Sequence, residues 1–264
     1  MYELPEIETL RRDLEREIAG RKIKSVEINS LKSIPGHRTK KPVTDLLEGA
    51  KVVVVERHGL DLVVHLDNDN VLVFRLGENS RLQRCTSKTK TDSDTEMVVT
   101  FTQGGDLRFA DTGGSGEVHV VPAEELIDLV GTPEQRGLDL LARPVSWVDF
   151  GRLLMKRDEP LKRLLTDPDV FVGIGPIYSD EILFDAGLRY DRPASELSMQ
   201  ELRRLNRSVA GILFDAVKYR GTDLEERPFI DLSGKPGEYG EHLAVYGRAG
   251  ELSPRSRTPI EKAQ

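Results

Sequence analysis

GIGPIYSDEILF, residues 173–184, is the stretch that decides how this chain folds. Two glycines precede a proline, and an apolar pattern of helical period follows it. Proline suits the first turn of a helix, because the N–H that it lacks would have no intrahelical partner there. We therefore predict a tight turn and then a helix at residues 176–186. Gly173 and Gly175 can bring backbone N–H groups close to a phosphate at that helix start.

The chain on both sides of this stretch is helical in texture from Pro122 onward. Ser198 and Glu201 form a capping-box pattern that opens a long helix, and Gly221 closes it. From Arg227 the chain is rich in glycine, proline and charge. The predicted helices are residues 123–129, 147–155, 161–165, 176–186 and 199–219.

The first half of the chain reads differently, as one helix followed by strands. Residues 4–19 place Ile7, Leu10, Leu14 and Ile18 at helical spacing. Turn signals then separate short apolar segments, and no helix pattern intervenes, which predicts an antiparallel sheet region in two layers. The predicted strands are residues 22–29, 51–57, 61–66, 71–76, 97–102 and 107–110. We predict domains at residues 1–135, 136–225 and 226–264.

Composition is that of a globular protein, with 264 residues, 38% hydrophobic and 31% charged. The net charge of −7 argues mildly against nucleic acid, and neither half is basic. One cysteine, Cys85, rules out an internal disulfide. No apolar run reaches membrane length and no leader pattern opens the chain, so we expect a cytoplasmic location and no membrane partner.

Three segments carry a resemblance to a known family. They are ELPEIETL at residues 3–10, GIGPIYSDEILF at 173–184, and VYGRAG at 245–250 with TPIE at 258–261. In this order they resemble the formamidopyrimidine-DNA glycosylase and endonuclease VIII repair proteins. The resemblance implies an α+β fold: an N-terminal antiparallel β-sandwich with flanking helices, then a helical domain with a helix-two-turn-helix element. It also implies a C-terminal finger, which is degenerate and zinc-less in this chain.

The nucleophile of that family is missing. Its members attack the sugar C1′ of a flipped-out nucleotide with the amine of an N-terminal proline, and Tyr2 stands there. The α-amine of Met1 is a competent substitute. It would lie about 3.3–3.6 Å of chain further out. This departure from the family therefore argues against the family's lyase reaction in this chain.

The carboxylates beside that position survive. Glu3 matches the residue that handles proton transfer to the opened sugar, and Glu6 matches a second acid near the site. Without the amine, the pair could assist hydrolysis of a glycosidic bond through water. Alternatively, Glu3 and Glu6 serve only the positive end of the first helix.

Positions that hold or replace the flipped base also depart from the family. Leu60 replaces a lysine that contacts phosphate, and His58 could substitute in part or simply be solvated. Glu78 replaces a wedge methionine, and residues 113–115, Gly-Gly-Ser, replace an Arg-Arg-Phe stretch. Read without the family, residues 113–116 are a phosphate-cradling loop or a flexible turn, and the sequence favours the turn.

The C-terminal half keeps only some of the residues that contact the DNA backbone in the family. Lys162 matches a DNA-contacting lysine, whereas Pro176 replaces an asparagine. Ser253 and Ser256 replace the first zinc-binding Cys pair, so we expect no metal there and no cofactor. Arg248 could still contact phosphate, or belong to a solvated tail.

We predict a DNA-repair-type protein that binds damaged or distorted double-stranded DNA, with Glu3, Glu6 and Met1 as catalytic candidates. The predicted DNA contacts are Lys162, Gly173, Gly175, His58 and Arg248. Whether the chain is an enzyme stays open, and no oligomer is implied. Two alternatives remain: a non-catalytic DNA-binding or protein-interaction module, and a hydrolase of a small nucleoside or another non-DNA glycoside.

Overall fold

The computed structural model describes residues 2–143 and 145–262. Contacts divide the chain into two compact units. Unit 1 comprises Met1–Thr132 and Thr222–Gly237, and unit 2 comprises Pro133–Gly221 and Glu238–Gln264. No helix among the described residues is long and apolar enough to cross a membrane.

Unit 1 is a sandwich of two antiparallel sheets with helices against it. One sheet has the strand order β1-β6-β7-β5 and the other β2-β3-β4-β8. The elements are α1 (Leu4–Ile18), β1 (Ile23–Ile28), α2 (Lys41–Leu47), β2 (Val52–His58), β3 (Asp61–Leu66), β4 (Asn70–Arg75), β5 (Ser80–Cys85), β6 (Thr95–Phe101), β7 (Asp106–Asp111), β8 (Glu117–Pro122) and α3 (Leu126–Val130).

The core of unit 1 lies between the sheets and beneath α1. Alternate strand residues point inward, and the apolar face of α1 joins them. Phe229 and Leu232, from the returning segment, are buried in the same core. That burial explains why residues 222–237 group with unit 1, whereas the sequence had assigned 226–237 to the finger. The domain limits at 135 and 225 stay a prediction.

Unit 2 is helical. Its helices are α4 (Trp147–Leu154), α5 (Leu161–Leu165), α6 (Pro176–Ala186) and α7 (Met199–Lys218). Pro176 occupies the first turn of α6, and Gly187, with a φ of 62°, ends that helix in the left-handed conformation. Ser198 and Glu201 form the predicted capping box of α7. The predicted α+β architecture is confirmed.

Three elements escaped sequence reasoning: α2, β5 and β8. In β5 the inward side chain of Leu82 is the main apolar signal, and the other residues are polar. In β8 the alternation of Val118 and Val120 is short and ends at a proline. Both strands become strands because neighbours pair with them, β7 with β5 and β4 with β8.

Candidate functional site: an acid pair at the start of the first helix

The start of α1 buries two carboxylates. Glu3 and Glu6 are only 4% and 3% exposed. Glu6 Oε2 accepts a hydrogen bond from the Glu3 N–H at 3.1 Å, and its Oε1 accepts one from the Thr222 N–H at 2.8 Å. Glu6 therefore joins the helix start to the returning segment of unit 1. This arrangement matches the alternative in which Glu6 serves the helix terminus.

The Glu3 side chain accepts the Glu6 N–H, which completes a capping box, and it also has a side-chain partner. Its Oε1 lies 3.1 Å from Nη1 of Arg227, which also comes from the returning segment. A charged hydrogen bond of this kind orients the carboxylate. Arg227 was missed by the sequence reasoning, because a contact across 224 residues has no local signal. Its place two residues before a buried aromatic, Phe229, was the available hint.

Position 2, where the resemblance places the family's nucleophile, is part of an apolar layer. Tyr2 and Leu60 both pack against the core of unit 1. The Tyr2 ring meets Phe229 edge-on, with the centroids 5.5 Å apart, and its hydroxyl donates to the Ser80 carbonyl at 2.6 Å. Burial, and then the charge of Glu6, raise the pKa of Tyr2 to about 12. The phenol therefore stays neutral at ordinary pH. Met1 lies outside the described residues.

A third acid of α1, Glu8, is held by arginines. It bonds Arg11, Arg12 and, at 3.1 Å, the buried guanidinium of Arg57. Burial alone would raise the pKa of Glu8, but the hydrogen bonds from Arg11 and Arg12 and the charge of Arg57 lower it overall. Glu8 therefore anchors the hairpin of β2 and β3 to α1.

Two loops pack tightly against each other at the positions where the family has the side chains that replace the flipped base. Residues 77–79 and 112–116 meet so tightly that a Cβ on Gly77 would collide with Ser115. The buried Asp111 carboxylate accepts the N–H groups of Gly113 at 3.1 Å and Gly116 at 3.0 Å. It also accepts the Ser80 hydroxyl at 3.2 Å. These N–H groups already face an acid, which does not favour a phosphate cradle.

Three of the residues predicted to contact the DNA backbone lie at or near the start of α6 in unit 2: Gly173, Gly175 and Lys162. Gly173 has a φ of 64°, which favours glycine, and Gly175 is the residue before the first helical turn. The Lys162 ammonium lies 2.5 Å from Oδ1 of Asp180. A phosphate at Lys162 would therefore compete with that carboxylate.

Glu181 of α6 links two of the segments that carried the resemblance. It is 2% exposed, and its carboxylate accepts the backbone N–H groups of Ala244, Val245 and Tyr246 at 2.8–2.9 Å. Sequence reasoning gave Glu181 no role. An acid in a helix interior followed by apolar residues was the signal.

Residues 250–260, where the resemblance predicts a finger, form a small turn in which Leu252 bridges Pro259. The Ser253 hydroxyl accepts the N–H groups of Arg255 and Ser256, so it stabilises the turn through hydrogen bonds. Arg248 pairs with Glu251 at 2.9 Å and also donates to the Leu243 carbonyl. The predicted DNA contact at Arg248 stays a prediction.

His58 does not stand alone. Its Nε2 lies 3.6 Å from Oε2 of Glu56, and Nε2 of His65 lies 3.1 Å from the same oxygen. Sequence reasoning considered His58 alone and did not group it with His65. The two-residue turn at Gly59 and Leu60 brings positions 58 and 65 to one face.

These features define a protein of two units. One is a sheet sandwich with a buried acid pair at the start of its first helix, and the other is helical. The model for the formamidopyrimidine-DNA glycosylase N-terminal domain matches residues 1–118, and that for the H2TH domain of the same proteins matches residues 137–227. The chain belongs to the formamidopyrimidine-DNA glycosylase family, as the resemblance predicted.

Relatives match along the whole chain. A formamidopyrimidine-DNA glycosylase of Moorella thermoacetica is 33% identical, over 100% of this chain and 95% of its own length. The crystal structure of the MutM (Fpg) protein from Thermus thermophilus is 30% identical with a TM-score of 0.81, covering 99% of this chain and 93% of that one. A Lactococcus lactis Fpg in complex with DNA containing an abasic site is 25% identical with a TM-score of 0.86, covering 99% and 94%.

Proposed function

We propose that the protein binds damaged or distorted double-stranded DNA and hydrolyses an N-glycosidic bond in it, with Glu3 as the acid–base residue. The lyase step of the family is absent in this proposal. Family membership supports the reaction class, and the Lactococcus lactis relative solved with abasic-site DNA supports the partner.

The observation that carries the proposal is the Glu3–Arg227 pair. Glu3 stands at the family's proton-transfer position, and its carboxylate is held by an arginine side chain rather than by backbone alone. The Glu3 carboxylate also accepts the backbone N–H of Glu6 in a capping box, whereas Glu6 accepts the two backbone N–H groups of Glu3 and Thr222. We therefore assign Glu6 as a positioning residue that fixes the helix start, and Glu3 as the group that meets the substrate.

The proposed reaction needs only water. The Glu3 carboxylate accepts a proton from a water molecule, whose oxygen forms a bond to C1′ of the nucleotide. The bond between C1′ and the base nitrogen breaks, and the base leaves with the electron pair and takes up the proton that Glu3 received, which restores the Glu3 carboxylate. An abasic site remains and the strand stays intact, because no amine forms a Schiff base.

Binding to DNA requires a local basic surface, since the net charge is −7. Residues 32–41 of unit 1 supply one. This segment carries Lys32, Arg38, Lys40 and Lys41, all exposed, and it contains no acidic residue. Lys32 lies beside Gly114 of the loop at 112–116. The segment supports a phosphate-contacting role near that loop.

The test is base release from a panel of lesion-bearing duplexes by the full chain. We expect free base, an intact strand and no covalent adduct under borohydride. Glu3→Gln should abolish release. Glu8→Gln is the matched control, because Glu8 is also buried on α1 and paired with an arginine; it should keep release. A trapped adduct would instead support the Met1 α-amine as nucleophile, and release that survives Glu3→Gln would refute the assignment.

One observation favours a second candidate, a non-catalytic DNA-binding module on the same scaffold. The loop at 112–116 is hydrogen-bonded to Asp111 and packs against the loop at 77–79. Tyr2 and Leu60 pack against the core, at or near the position where the family has its nucleophile. Salt-dependent binding to duplex DNA without base release from any lesion would establish the module. Release from free nucleosides, with no DNA affinity at low salt, would establish a small-nucleoside hydrolase instead.

A further inference from the structure

The outer face of the hairpin formed by β2 and β3 gathers two imidazoles and a carboxylate. Glu56 and His58 are two residues apart on β2, so their side chains leave the sheet on the same side. In the antiparallel register, Val54 faces His65, and Glu56 faces Val63. Residues directly opposite share a face. His65 therefore lies on the same side as Glu56 and His58, facing away from the core between the two sheets.

The three potential ligand atoms converge. Glu56 Oε2 lies 3.1 Å from Nε2 of His65 and 3.6 Å from Nε2 of His58. All three atoms lie within 4.8 Å of one another. Zinc bound tetrahedrally at about 2.0–2.1 Å separates its ligand atoms by roughly 3.4 Å. The two edges that meet at Glu56 already match that separation. The third edge joins the two imidazole nitrogens, which lie within 4.8 Å of each other, and a small rotation of the partly exposed histidine rings closes it.

The hairpin holds these side chains on a fixed frame. On its inner face Arg57 is only 3% exposed, pairs with Glu8 and donates to the Gly59 carbonyl at 2.7 Å. Leu60, in the turn, packs against the core. Sites carried by anchored strands keep their geometry better than sites carried by loops.

We propose that Glu56, His58 and His65 bind a zinc ion on this face. Imidazole nitrogen suits zinc and the neighbouring late transition metals, whereas calcium and magnesium require oxygen ligands. Three protein ligands leave one position for water, as in an open zinc site. The side chains of His58 and His65 are 23% and 26% exposed, so an ion can reach them. This site is separate from the finger, where Ser253 and Ser256 supply no zinc ligand.

The chain contains a matched control on the same sheet. Nε2 of His119, on β8, lies 3.0 Å from Oε2 of Glu117. That pair has the same two chemistries and nearly the same distance as His65 and Glu56. Within the described residues it does not belong to a three-membered group of potential ligands. A response shared by both pairs would be histidine–carboxylate pairing and not a metal site.

The experiment is zinc titration of the metal-stripped, full-length chain without a histidine tag, using a chromophoric chelator as competitor. We expect one zinc ion per chain. His58→Gln and His65→Gln should each weaken binding at least about 10-fold, and His119→Gln should not change it. Zinc should also raise the melting temperature of the native chain and of His119→Gln, but not of the other two variants.

Cobalt(II) provides a second readout, which reports the coordination of the bound ion and is read together with a folding control. We expect the visible absorption bands of a four-coordinate site in the native chain and in His119→Gln, and their loss in His58→Gln. Circular dichroism should show all variants folded, because the replaced side chains lie on the sheet surface. The proposal is overturned if zinc does not bind, if binding survives both His58→Gln and His65→Gln, or if His119→Gln abolishes it equally.

Discussion

The start of α1 and the loop at residues 112–116 both use a buried acid to hold backbone N–H groups. At the helix start Glu6 performs this role, while its neighbour Glu3 keeps a side-chain partner, Arg227. In the loop Asp111 performs it, and the residues that follow are two glycines and a serine, with no side chain that could wedge a base stack. A buried acid that accepts backbone N–H groups thus lies beside the proposed acid–base residue in one region, and stabilises only its own turn in the other.

This difference distinguishes two classes of residue in the scaffold: those that tie segments together, and those at positions where the family contacts DNA. Residues that tie segments together, such as Glu6 and Glu181, still meet their backbone partners. At two positions where the resemblance predicts contact with substrate DNA, Tyr2 and Leu60 instead pack against the core of unit 1. Burial makes the first class costly to change, because an unsatisfied buried N–H destabilises the fold.

The largest effect should come from Glu6→Ala. It leaves the N–H groups of Glu3 and Thr222 buried without their acceptor, and we expect a loss of about 3–5 kcal/mol in the free energy of unfolding. Denaturant unfolding of the full chain measures this loss of stability. The control Glu6→Gln keeps one acceptor oxygen and should lose less. Equal stability of Glu6→Ala and the native chain would show that the two regions are not comparable.

Asp111→Asn should have the next largest effect. One carboxylate oxygen becomes an amide that faces an N–H donor, and we expect a loss of about 2 kcal/mol. Hydrogen exchange should quicken at Gly113 and Gly116 while it stays slow at Thr222. Unchanged exchange at the two glycines would contradict the role assigned to Asp111.

Tyr2→Phe should cost about 1 kcal/mol, since it removes one hydrogen bond to the Ser80 carbonyl and keeps the ring contact. The pKa of Tyr2 is raised to about 12 from an ordinary 10.0. The stabilisation from its neutral phenol is therefore fully present below pH 10 and is lost as the pH rises through 12. The native chain should lose more stability over that interval than Tyr2→Phe. Parallel alkaline profiles of the two proteins would argue against burial of the phenol.

Glu78→Ala should have the smallest effect. The side chain is exposed, and we expect stability to change by less than about 0.5 kcal/mol. Removing one negative charge beside the loop should modestly strengthen duplex binding at low salt, measured by fluorescence anisotropy. Weaker binding would mean that Glu78 contributes to the DNA contact.

Sequence reasoning predicted the elements well where the pattern was local. The bounds of β3, α5 and α6 agree with the structure, because period, proline and glycine act within a few residues. It missed β5, which is polar apart from Leu82 and becomes a strand through its pairing with β7. It also missed the grouping of His65 with His58, which depends on the register across a turn.

The candidate site was predicted in part. Glu3 and Glu6 were found through the motif at the N-terminus, but the motif could not separate their roles. Their partners Arg227 and Thr222 lie more than 200 residues away in sequence, and only folding brings them to α1.

The sequence by itself determined the family, the two-layer sheet region, the helices other than α2, and the presence of Tyr2 where the family has its proline nucleophile. These follow from local periodicity and from which residues occupy which motif positions. The tertiary structure alone decided that Glu6 binds backbone, that Glu3 faces an arginine, and that Tyr2 joins an apolar layer. Those outcomes depend on long-range burial, which pairs groups that the chain keeps far apart.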